Sequence, residues 1–124
     1  MAAWRHTVIG VACAWACAPA LAGELTAATQ KEIGQLLDRI ETSNCSFARN
    51  GSWHAPADAR KHLQMKVDYM VKRNMLGSTE EFISKAATSS SVSGEAYQIR
   101  CGNNAPMPSA TWLTAELKRI RGSY

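Results

Sequence analysis

Ala96-Tyr97-Gln98-Ile99-Arg100-Cys101 alternates cleanly, with Tyr97, Ile99 and Cys101 on one face and Gln98 and Arg100 on the other. A period of two is the signature of a half-buried strand. A single strand has no hydrogen-bonding partner, and the candidate partner lies upstream in Cys45-Ser46-Phe47-Ala48-Arg49-Asn50-Gly51. There Cys45 and Phe47 point one way and Ser46 and Ala48 the other, and Asn50-Gly51 supplies the positive-φ positions of a tight turn. A disulfide between Cys45 and Cys101 would lay the two segments side by side, because bridged Cα atoms lie about 5–6 Å apart. The sequence around them is helical. The expected fold is therefore α+β and predominantly helical, a single small domain of about four helices with a minimal two-stranded β-ribbon.

The disulfide rests on compartment, and the compartment is read from the N-terminus. Arg5 and His6 precede an almost uncharged apolar run over 7–18, and Ala20-Leu21-Ala22 gives the small-x-small pattern that signal peptidase reads. The apolar run is shorter than the ~20 residues of a membrane-spanning helix. Residues 1–22 are thus a signal peptide cut after Ala22, followed by one domain over 23–124. The expected location is the periplasm, or otherwise the extracellular space. Removing 22 of 124 residues leaves 102, enough for one modest core. Cys13 and Cys17 leave with the signal, so Cys45 and Cys101 remain, and an exported pair most simply forms one disulfide. Two free buried thiols are the alternative.

Four helices are expected. Over 26–43, Ile33, Leu36, Leu37 and Ile40 make one apolar stripe. Thr29 with Glu32 fits a capping box there, although Thr26 could start the helix a turn earlier. Pro56 suits the first position of a helix over 56–74, with Ala59, Leu63, Val67, Met70 and Val71 inward. Ser78-Thr79-Glu80-Glu81 opens a short third helix that turns Phe82, Ile83 and Ala86 into the core. The loop 88–94 ends it, and Ser109 caps a last helix carrying Trp112, Leu113, Leu117 and Ile120. No second segment is apolar and long enough to span a membrane.

The net charge of +4 falls to +3 once Arg5 is removed. The basic residues are scattered, with no basic stripe interleaved with aromatics, so nucleic-acid binding is not expected. Gly-x-Ser-x-Gly and Ser-x-x-Lys are both absent. His54, Asp58 and His62 are too few for a metal set, and His-Glu-x-x-His is missing. No metal and no cofactor is expected. On the second helix His62, Lys66, Tyr69 and Arg73 recur at i, i+4, i+7 and i+11 and share one polar face. With Arg49 and the hydroxyls of Ser89–Ser93, that face would make an anion-receptive groove. The plainer assignments are a solvated helix face, a chain-turning Asn50-Gly51, an Arg49 that caps the first helix, and serines that satisfy backbone groups.

The order Phe47-x-Arg49-Asn50-Gly51, His62-Leu63-x-x-Lys66, Glu81-Phe82-Ile83 and Ser89-Ser90-Ser91-x-Ser93-Gly94-x-x-Tyr97 resembles the YfeK-like family. These are small exported proteobacterial proteins that form a domain of unknown function. The resemblance runs from Leu25-Thr26 to the final helix and implies a periplasmic location without supplying a reaction. It places the emphasis on Arg49, Asn50, Gly51, His62, Lys66, Ser90, Ser91, Gly94 and Tyr97. Taken together, the expected function is a non-enzymatic binding or interaction module. Its binding residues would be Arg49, Asn50, His62, Lys66, Ser90, Ser91 and Tyr97, and its partner an envelope protein or a small anionic ligand. The rival readings are a small hydrolase or transferase with His62 as base and a loop serine as nucleophile, and an inhibitor of a cell-wall lytic enzyme. The last rests on Ser93-Gly94-Glu95-Ala96-Tyr97, which is similar to a Ser-Gly-x-x-Tyr inhibitor loop.

Overall fold

The computed structural model describes Gly10 and residues 25–122. The expected signal peptide and its cleavage after Ala22 lie outside the described residues, apart from Gly10. Among the described residues, no helix is long and apolar enough to cross a membrane.

Helix α1 covers Ala27–Thr42 and begins at the earlier of the two candidate caps: Thr26 Oγ1 accepts the Thr29 amide at 3.1 Å. Ile33, Leu36, Leu37 and Ile40 are all buried, as their spacing predicts. Strand β1, Cys45–Arg49, then turns at Asn50-Gly51 (φ 52° and 79°) into β2, Ser52–His54. Positive φ at both central residues is a type I′ turn, whose twist matches that of a hairpin. Pro56 opens α2, Pro56–Lys72, which buries Leu63, Val67 and Met70 with Ala59 and Val71 partly covered.

Ser78 caps α3, Thr79–Glu81, through its Oγ on the Glu81 amide at 3.1 Å. The helix continues as a π-helical turn, Phe82–Ala86, in which the Ala87 amide reaches back to the Phe82 carbonyl at 3.1 Å. Phe82, Ile83 and Ala86 point inward. Strand β3 covers Gln98–Cys101, β4 covers Met107–Pro108, and α4 covers Ser109–Gly122.

The expected two-stranded ribbon is corrected to a four-stranded antiparallel sheet of order β2-β1-β3-β4. The two additional strands are edges of three and two residues. Segments that short carry no alternation to read, and Pro108, which lacks an amide donor, is tolerated at an edge. Tyr97 lies just ahead of β3 rather than within it, with Ala96 in an isolated bridge to Ser89. The Cys45–Cys101 disulfide is present, and the two cysteines are direct cross-strand partners.

The helices lie on the sheet face that carries Cys45, Phe47 and Ile99. Helix α4 packs Leu113, Leu117 and Ile120 into the core, and its Trp112 stands edge-on to Phe47 at 6.2 Å, beside the disulfide. Helices α1 and α4 are tied at the surface by Arg39–Glu116 (2.7 Å), and by Arg121, which bonds Glu32 (3.0 Å) and Glu80. One expectation fails at the start of α4. Ser109 is the first residue of the helix rather than its cap, and its Oγ is buried without a hydrogen-bond partner among the described residues.

The disulfide closes a loop of 56 positions. Replacing Cys45 and Cys101 together by alanine is predicted to cost roughly 4 kcal/mol through restored unfolded-state entropy. Urea unfolding of the oxidised protein against the double variant measures the loss, and an unchanged midpoint would refute it.

Candidate functional site

Alternation along β1 sends Arg49 to the same face as Cys45 and Phe47, toward the helices. Opposite it, α2 buries Leu63, Val67 and Met70, which leaves His62 and Lys66 half-buried on the flank of that stripe. Tyr97 is held by its backbone: its amide donates to the Thr88 carbonyl and its carbonyl accepts the Ser109 amide, both at 2.9 Å. Its ring is buried, and its hydroxyl reaches α2.

These side chains form one chain of hydrogen bonds. The Arg49 guanidinium donates to His62 Nδ1, the closer of the two ring nitrogens. A ring that accepts at Nδ1 carries its proton on Nε2, which then donates to Tyr97 Oη at 3.1 Å. Lys66 Nζ donates to the same oxygen at 3.2 Å and to the Ser89 carbonyl at 3.1 Å. With both acceptor sites of the phenol taken, its own O–H can only donate outward. Lys66 also lies 5.1 Å from the Tyr97 ring centre.

Burial is the main cause of the depressed His62 pKa, with the charges of Arg49, Lys66 and His54 acting in the same direction. Lys66 is lowered by burial and then by Arg49. Burial raises Tyr97, and Arg49 opposes it. Among the described residues, neither Arg49 nor Lys66 forms an ion pair, whereas carboxylates elsewhere pair with Arg39, Arg60, Lys85, Arg119 and Arg121.

A cavity of about 80 Å³ adjoins this cluster. Arg49, His62, Tyr97 and Ser109 line it together with the apolar side chains of Phe47, Leu63, Ala87 and Leu113, and with His54, Asp58 and Ala59. No group of three or more His, Cys, Asp or Glu among the described residues is placed to hold a metal ion.

Of the seven binding candidates, Arg49, His62, Lys66 and Tyr97 converge. Asn50, Ser90 and Ser91 do not join them. Asn50 Oδ1 accepts from the Ser93 hydroxyl and ties the β1–β2 turn to the serine loop, while buried Ser90 Oγ accepts the amides of Val92 (3.3 Å) and Ser93 (3.4 Å) within that loop. Ser91 is exposed. The polar stripe of α2 also divides: Tyr69 and Arg73 are exposed and stack on each other at 3.6 Å, away from the Tyr97 hydroxyl. No serine hydroxyl is hydrogen-bonded to His62 among the described residues, and Tyr97 of the Ser93–Tyr97 segment is buried rather than projecting. Ser109 was missed as a site residue, because it reads as a helix cap and nothing local shows which residues enclose it.

Because the folded pKa of His62 lies below 6.5, the unfolded chain takes up a proton first as the pH falls. The His62 contribution to stability is complete above about pH 6.5 and is lost as the pH drops from there toward the folded pKa. A histidine NMR titration is expected to place His62 below 6.5, and His62→Gln is expected to flatten this part of the stability–pH curve. A His62 midpoint at or above 6.5 would contradict the burial argument.

Comparison with known proteins gives a family and no chemistry. Residues 27–121 match a family of unknown function, DUF5329. The uncharacterized protein YfeK of Salmonella typhimurium is 33% identical over 69 residues, a match covering 55% of this chain and 56% of that protein. No solved structure matches. The stretch aligned with YfeK is thus little more than half of either chain, while the family match spans both strands and all the helices that build the Arg49–His62–Tyr97 cluster. This chain belongs to the DUF5329 family of unknown function.

Proposed function

We propose that this chain is a non-enzymatic binding module of the bacterial envelope, exported by a signal peptide over residues 1–22 and cleaved after Ala22, and acting in the periplasm. Its binding surface is Arg49, His62, Lys66 and Tyr97, and its ligand is an anion, carried either by a small molecule or by a protein partner. One observation carries this reading: two half-buried cations lack a carboxylate partner among the described residues, and Lys66 directly and Arg49 through His62 lead to a tyrosine hydroxyl that has only its proton left to offer. Uncompensated charge away from water is costly. An acceptor-only ligand removes that cost with charge-assisted hydrogen bonds.

The disulfide is consistent with an oxidising compartment. The hydrolase reading draws less support, since the hydrogen bonds of His62 go to Arg49 and Tyr97 rather than to a serine hydroxyl.

Titration of the purified protein with acetate or inorganic phosphate, followed by amide and arginine side-chain NMR, tests the reading. Shifts are expected at Arg49, His62 and Tyr97, and Arg49→Gln is expected to weaken binding about tenfold or more. Equal shifts in wild type and Arg49→Gln would sink it.

A further inference from the structure

The cavity beside the cluster distinguishes among anions. Ser109 is 3% exposed, its Oγ has no partner among the described residues, and it lines the same cavity as Arg49, His62 and Tyr97. A buried hydroxyl without a hydrogen bond is a standing cost in the free protein. The other walls, Phe47, Leu63, Ala87 and Leu113, are apolar. The volume, about 80 Å³, is roughly half of the ~150 Å³ that admits benzene in an engineered apolar cavity.

The charge balance narrows the ligand further. Asp58 lines the cavity from the exposed first turn of α2, so the cavity wall itself holds one cation, Arg49, and one carboxylate, with Lys66 behind the Tyr97 hydroxyl. A monoanion meets less repulsion from Asp58 than a doubly charged phosphate does.

We infer that the site takes a monocarboxylate bearing a short apolar tail, its carboxylate meeting Arg49 and the Tyr97 and Ser109 hydroxyls and its tail filling the Phe47–Leu63–Leu113 cavity. This rests on the anion-binding reading above and names the ligand class. The same chemistry is offered by a free short-chain acid and by the C-terminal residue of a peptide.

The test uses the purified chain with its disulfide formed, titrated by calorimetry and NMR with acetate, propionate, butyrate, inorganic phosphate, trialanine and trialanine amide. Affinity is expected to rise about fourfold per added methylene until the cavity is filled. Shifts are expected to spread to Ser109 and Leu113. Ala59→Leu, which adds bulk at the cavity wall, is expected to abolish the tail gradient while leaving acetate bound. Ser109→Ala is expected to weaken carboxylates roughly three- to tenfold without lowering stability, a combination that a purely structural hydroxyl would not give.

Trialanine tighter than propionate, with its amide silent, upholds the proposal and assigns a peptide terminus; propionate tighter than trialanine upholds it and assigns a free acid. Phosphate binding at least as well as butyrate, or no gradient along the acid series, overturns the tail assignment and leaves anion binding standing. No response to any anion overturns both. The acid series on wild type decides the matter even where a variant fails to fold.

Discussion

The register between β1 and β3 is the constraint on which the rest of this molecule depends. Cys45 faces Cys101, Phe47 faces Ile99, and two residues beyond that pair Arg49, ending β1, and Tyr97, just ahead of β3, lie on the same inward side. A slip of one residue would send all of these side chains to the opposite side of the sheet. The core would then lose Phe47 and Ile99, and the site would lose its guanidinium and its phenol. A covalent bond at the far end of the pair fixes the register where the hydrophobic pattern alone is short, since β3 has only four residues. The disulfide therefore stabilises the fold and also sets which polar groups meet α2.

The inward face changes character along its length. Near the disulfide it is apolar and closed by Trp112; near Arg49 it is polar and open to the cavity. A sheet face can end in charge only if the opposing helix supplies partners. Helix α2 does so with His62 and Lys66, at positions i and i+4 on the flank of its buried stripe. The partners are themselves basic, which is unusual for a stabilising contact. His62 accepts from Arg49 only as the neutral ring, and burial together with the neighbouring charges favours that form. The result is a relay of donors ending at the Tyr97 hydroxyl, with no carboxylate bonded to it among the described residues.

How much of this was legible follows from the length over which each signal repeats. The apolar stripe of α1, with Ile33, Leu36, Leu37 and Ile40, repeats through several turns and was read correctly, as was the inward set of α2. The alternation through Cys101 gave β3 and, with Cys45, its partner. Ser52–His54 and Met107–Pro108 are strands only because a formed sheet offers them hydrogen bonds, and no periodic pattern survives in two or three residues. In the site, the i, i+4 spacing exposed His62 and Lys66, but Tyr69 and Arg73 share that spacing and point elsewhere. Which end of a polar stripe is covered depends on tertiary contacts with Tyr97. Ser109 shows the same limit. Ser before an apolar run normally caps a helix, yet here α4 starts at Ser109 itself and its hydroxyl is enclosed by residues distant in sequence.

The departures from local consistency coincide. A cap residue that does not cap, an arginine without an acid and a histidine kept neutral all line one cavity, and Lys66, also without an acid among the described residues, bonds the tyrosine beside it. Each departure works against stability: a buried hydroxyl lacks a partner, and like charges gather out of water. Other arginines of the same chain do pair, as Arg39 does with Glu116 and Arg121 with Glu32. The sequence thus holds the means to neutralise Arg49 and Lys66 and does not apply it there. A cost concentrated at one cavity, where Ser109 Oγ is the unpartnered buried side-chain oxygen among the described residues, is the pattern of a surface arranged for a ligand rather than for the fold.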